Sequence, residues 1–120
     1  MNRIHLLSFL AWVANLHLAH WQADTLCAAH ETLGDLYEAV DKAIDKLAEV
    51  DMGRAGSADF PEGQSFSFQV RANLGELLGA GLAEINALRA DPAVSSAEDL
   101  RTILADLEIL INRAKFLLKV

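Results

Sequence analysis

Apolar residues recur at intervals of three and four along nearly the whole chain, the spacing that lines one face of an α-helix. From Asn2 to Asp51 the series is Leu6, Phe9, Val13 and Leu16, then Leu26, Leu33, Tyr37, Val40, Ile44 and Leu47, and Gly34 is the only glycine or proline in that stretch. One helix of that span would be about 75 Å long, more than a 120-residue chain can cover, so a break is expected, with Asp24 or Thr25 as the N-cap of the restart. Two proline-containing segments, Met52–Gly63 and Asp91–Ser96, divide the remainder. A third helix is predicted from about Gln64 to Arg89, burying Phe66, Val70, Leu74, Leu77, Leu78, Leu82, Ile85 and Leu88. A fourth starts at the capping box Ser95-Ser96-Ala97-Glu98 and continues through Ile103, Leu107, Leu110, Ile111 and Leu117. Gly75 and Gly79 form a GxxxG that predicts close helix packing. No hairpin signal or period-two strand of useful length stands out. The pattern therefore predicts an all-α fold, with residues 1–120 forming a single antiparallel four-helix bundle domain.

Composition narrows what such a domain does. A hydrophobic content of 52% argues against disorder. Seventeen acidic against ten basic residues give a net charge of −7, which disfavours the phosphate attraction that nucleic-acid binding relies on. Cys27 is the only cysteine, has no intrachain partner, and reads as a small buried hydrophobe. The run Leu6–Ala14 behind Arg3 carries polar Ser8 and lacks paired small residues for cleavage, so it reads as a mature helix of a cytoplasmic protein. No apolar stretch reaches the length of a membrane span.

Candidate chemistry is confined to one region. With His30 set at zero on a helical projection, Leu33, Tyr37, Val40, Ile44 and Leu47 fall between about 260° and 340°, while Asp41, Asp45 and Glu49 fall at about 20°, 60° and 100°. His30 thus sits at the edge of the core stripe, and the carboxylates continue round the flank where a second subunit can dock. His20 lies within the apolar stripe of the first helix, with His17 one turn before it. A buried imidazole needs a partner at each ring nitrogen, and a metal on one with a carbonyl or carboxylate on the other meets that need. Such mixed ligands suit Fe(II), Mn(II) or Zn(II). Spacing alone leaves the plainer reading open, in which the histidines are hydrogen-bonded core residues and the carboxylates, beside Lys42 and Lys46, form a solvated face.

The order His20-Trp21, His30-Glu31, Leu36-Tyr37 and Asp45-Lys46-Leu47-Ala48-Glu49 resembles the Dps mini-ferritins, the starvation-induced members of the ferritin-like superfamily. The matching stretch is LHLAHWQADTLCAAHETLGDLYEAVDKAIDKLAEV, residues 16–50. The resemblance implies a ferritin-like bundle with a ferroxidase centre across a two-fold homodimer interface. His20 and His30 would come from one subunit and Asp45 and Glu49 from the other, with Trp21 near the metals and His17 or Asp41 behind the ligands. It also implies Fe(II) oxidation, preferably by hydrogen peroxide, and storage of ferric mineral in a hollow shell, a cage of many copies. The family joins its second and third helices by a long crossover. The twelve residues Met52–Gly63 reach at most about 40 Å, against about 37 Å for a 25-residue helix, so they are just long enough. Two other readings accompany this one: a non-enzymatic helical scaffold without a functional metal site, and a bundle stabilised by redox-silent zinc on His17, His20 and His30.

Overall fold

Capping groups decide where the helices begin. In the computed structural model, which describes residues 1–120, the Asn2 side chain accepts the Ile4 N–H at 3.0 Å and opens α1 (Arg3–Gln22). Helix α2 (Ala28–Ala55) follows a short turn and ends at Gly56, whose φ of 67° is the left-handed C-cap that glycine adopts without strain. Asn73 Oδ1 accepts the Glu76 N–H at 3.0 Å and starts α3 (Leu74–Arg89). Asp91 Oδ1 caps the one-turn α4 (Pro92–Ser95) through the Ala93 N–H at 2.9 Å, with Pro92 inside the first turn. Helix α5 (Glu98–Leu118) starts at Ala97 with no side-chain cap.

The all-helical expectation holds, whereas three predicted helix starts differ, that of α2 at Cys27 and those of the third and last long helices. The third helix starts at Leu74 instead of Gln64, and the connection runs from Gly56 to Asn73, so Phe66 and Val70 are exposed. Strict alternation through Ser65-Phe66-Ser67-Phe68-Gln69-Val70 is the sequence signal for that extended segment, and Asn73 with Glu76 three residues on is the true start signal. The expected capping box does not form, because the Ser95 and Ser96 hydroxyls both donate to the Pro92 carbonyl, at 3.3 and 2.8 Å. Leu26 and Leu117, expected on buried faces, are also exposed.

Four long helices form a ring in which α1 packs on α2 and α3, and α5 packs on the same two; the backbones of α1 and α5, and of α2 and α3, stand farther apart on the diagonals. Hydrogen bonds fix the directions. The Asn2 N–H donates to Asp91 Oδ2 at 2.6 Å, placing the start of α1 beside the end of α3. At the other end the Arg71 N–H donates to Gln22 Oε1 at 2.8 Å, placing the start of α3 beside the end of α1. Helices α2 and α3 therefore run the same way, and the chain between them must travel the length of the bundle. It does so along α1. Arg3 donates to the carbonyls of Ser57 and Asp59 at 2.9 and 3.0 Å, and its guanidinium lies 5.1 Å from the Phe60 ring centroid. Midway, buried Asn15 accepts the Gln69 N–H at 2.7 Å and donates to the Ser67 carbonyl at 3.2 Å, pairing with the extended segment as a neighbouring strand would. No helix is long and apolar enough to cross a membrane.

The core is one cluster of twenty-two buried apolar residues, drawn mainly from the four long helices. Trp12 enters it from α1, donating Nε1–H to the Leu77 carbonyl at 2.7 Å. Its ring lies where a Cβ on Gly81 would approach within 2.3 Å of Cζ2, so α3 passes Trp12 only with a bare backbone at that position. The GxxxG pair behaves otherwise: a Cβ on Gly79 meets nothing within 4 Å, and one on Gly75 makes ordinary contacts, so neither glycine serves close packing.

Gly81→Ala should therefore lower stability by about 1–3 kcal/mol in urea unfolding, by overpacking against the indole, whereas Gly79→Ala should be neutral or raise it by up to about 1 kcal/mol through helix propensity. At the far end, burial opposes ionisation of Asp91 but is outweighed by the N–H groups of Asn2 and Ala93, and the carboxyl sits below its usual range. A group depressed in the folded state stabilises fully above its unfolded pKa, about 3.9, and loses that contribution as pH falls through the folded value. Asp91→Ala should cost about 1 kcal/mol near neutral pH, and thermal melts of the variant and the parent should converge below about pH 4.

Candidate metal centre

The turn Ala23–Cys27 folds α2 back on α1 without a glycine. Asp24 Oδ1 accepts the Leu26 N–H at 2.9 Å, and the Asp24 carbonyl accepts the Cys27 N–H at 3.0 Å. Asp24 thus closes the turn, while Cys27 takes the N-cap position expected for Asp24 or Thr25, its Sγ accepting the Ala29 N–H at 3.3 Å. Cys27 is exposed, contrary to the expectation of burial, because the turn projects it past the end of the bundle.

This tight return brings His20, near the end of α1, against His30, in the first turn of α2. Their rings stack with centroids 4.1 Å apart and planes inclined by 27°. Each ring reaches the other residue's backbone: His20 Nδ1 lies 2.9 Å from the His30 carbonyl oxygen, and His30 Nδ1 lies 3.0 Å from the His20 carbonyl oxygen. The His20 carbonyl belongs to the last turn of α1, where no intrahelical donor remains, so His30 also caps that helix. A carbonyl only accepts, and both Nδ1 atoms must therefore carry the proton. In the neutral rings the lone pairs are on Nε2, which makes no hydrogen bond within the chain and is not buried. This is the second contact that a metal-binding imidazole requires, present in duplicate.

Around the pair, His17 stacks on Tyr37 at 3.7 Å and lies 4.5 Å from the Trp21 ring and 6.2 Å from the His20 ring. A pocket of about 350 Å³ opens beside these rings, lined by the three histidines, Tyr37, Gly34 and three carboxylates, Glu31, Asp35 and Glu38. None of those three acids is among the ligands expected from sequence, although their i, i+4, i+7 spacing sets them on one face of α2. Asp45 and Glu49 are exposed on the α2 flank, about 22 and 28 Å along the helix from His30 by its rise per residue. One chain therefore unites His20 with His30 and separates both from Asp45 and Glu49. No group of three or more His, Cys, Asp or Glu side chains within one chain is placed to hold an ion.

What the arrangement offers is a pair of neutral nitrogen donors with fixed tautomers and open outer faces. Rings stacked 4.1 Å apart direct their in-plane lone pairs along neighbouring, nearly parallel planes, so they do not chelate one ion at about 2.1 Å and instead suit two neighbouring ions. Long-range proton–nitrogen spectra near neutral pH should show His20 and His30 both protonated at Nδ1 and unprotonated at Nε2. Comparison with known proteins finds no match to a protein-family model, a curated protein or a solved structure.

Proposed function

We propose that this chain is a short, divergent mini-ferritin-like protein that takes Fe(II) as substrate between two copies and oxidises it, which consumes peroxide and stores iron. The observation that carries the reading is the reciprocal His20–His30 pair, whose Nδ1 atoms are occupied by carbonyls and whose Nε2 atoms are free. The ring of four helices, with its long crossover between α2 and α3, supports a ferritin-like fold, which has one such connection.

Two nitrogen donors do not complete an iron site, and the missing ligands are oxygen donors of negative charge. In this reading a two-fold axis across the α1–α2 face supplies Asp45 and Glu49 from the second copy, and each copy completes the other's site. The face is suited to a partner, since Trp21 is exposed on it beside the half-buried histidines. His20 and His30 hold the ions as neutral ligands, and the carboxylates offset the charge that grows on oxidation. Two Fe(II) ions each give one electron to hydrogen peroxide; its O–O bond breaks, and two protons convert the oxygens to two waters. A cage of more copies is a further step of the same proposal.

Asp45→Ala should slow Fe(II) oxidation by at least about 100-fold, with helical circular dichroism unchanged, and sedimentation should give a dimer or larger species for the parent. Unchanged oxidation kinetics in that variant would reject the assignment. Absence of Fe(II) uptake by the parent would leave the helical scaffold in its place.

A further inference from the structure

Gly34 lies in the interior of α2, one turn after His30, where helix propensity favours almost any other residue. Its φ is not positive, so no turn or left-handed conformation calls for glycine. What a side chain would meet there is His20. A Cβ at position 34 would lie 2.7 Å from His20 Cε1, 3.1 Å from Nδ1 and 3.4 Å from Nε2. The imidazole rests against bare helix backbone.

We propose that Gly34 is the positioning residue of the histidine pair, leaving the space through which His20 reaches the His30 carbonyl and stacks on the His30 ring. The importance of this for metal binding rests on the reading in the preceding subsection; the positioning itself belongs to the chain without metal. The argument turns on which atoms collide. Cε1 and Nδ1 are the two nearest to the added carbon, and Nδ1 is the atom held at 2.9 Å by the His30 carbonyl. A ring that moves away from a methyl group must lengthen that hydrogen bond. His30 then loses the ring it stacks on, and because the two hydrogen bonds are reciprocal, one substitution frees both imidazoles. The tautomer that directs the lone pairs to Nε2 is no longer imposed on either ring.

The test uses the full chain without metal first. In Gly34→Ala, nitrogen-15 spectra near neutral pH should show His20, and with it His30, leaving the Nδ1-protonated form for a mixture of tautomers. Titration with Co(II) as the probe should show affinity reduced by at least about 10-fold. Thermal melts complete a cycle: Gly34→Ala should raise the melting temperature when introduced into His20→Ala, where no ring fills the space, and should lower it in the parent. Retention of both Nδ1-protonated rings in Gly34→Ala, or the same stabilisation in both backgrounds, would overturn the proposal. Should Gly34→Ala fail to fold, recovery of folding in the double variant supports the collision with His20, and failure to recover refutes it. A parent protein that binds no Co(II) defeats the metal reading, while the tautomers and the melting cycle still judge Gly34.

Discussion

A helix that is apolar round most of its circumference must be covered on more than one side, and α1 is such a helix. Between Arg3 and Gln22 it carries no acidic or basic side chain apart from histidine. Helices α2 and α3 cover two of its sides, and the crossover from Gly56 to Asn73 lies along a third. That covering accounts for residues that look misplaced in sequence. Asn15 is buried with its amide bonded on both sides to the backbone of the extended segment, at the Gln69 N–H and the Ser67 carbonyl. Arg3 gathers the start of the crossover and also lies 2.9 Å from the carboxylate of buried Asp51, out of line for a hydrogen bond yet close enough to offset its charge. Leu10 stays half-exposed at the edge of the crossover, where it lines a groove with Phe60, Pro61 and Phe66, and Trp21 is exposed against His17 at the mouth of the histidine pocket.

Two rings from α1 press into neighbouring helices at glycines. Trp12 meets α3 at Gly81, and His20 meets α2 at Gly34. In both places the ring also hydrogen-bonds a backbone carbonyl, Leu77 for Trp12 and His30 for His20. A flat side chain lying on bare helix can reach a carbonyl that a layer of side chains would shield. The two contacts differ in consequence. Trp12 spends its only polar group on the contact and becomes pure core, whereas His20 has a second nitrogen, and that nitrogen stays open.

The open nitrogens are where packing turns into chemistry. A core histidine satisfied at both nitrogens has nothing left to offer, and a freely rotating surface histidine has no fixed lone pair. His20 and His30 stand between these limits, each held at Nδ1 and stacked on the other. Binding an ion at Nε2 then requires little reordering of either ring. The acidic side chains of the same pocket, Glu31, Asp35 and Glu38, add negative potential around it.

Periodicity by itself determined that the chain is helical and which faces of its helices are apolar, because a period near 3.6 is a local property of neighbouring residues. It also located His20, His30, Asp45 and Glu49 on their helix faces. The third helix is shorter than its apolar spacing suggests, because the alternation from Ser65 to Val70 is short and its partner, Asn15, is distant in sequence. Burial of Cys27 and of Leu26 failed similarly, since a turn can point an apolar residue away from the core. The 15 and 19 residues from His30 to Asp45 and Glu49 already set those carboxylates far from it along α2, whereas only the tertiary structure decided that His20 and His30 stack and exchange carbonyl contacts and that Gly34 makes room for them. Those facts depend on how tightly α1 and α2 fold back together, a relation between segments that no spacing within either segment encodes.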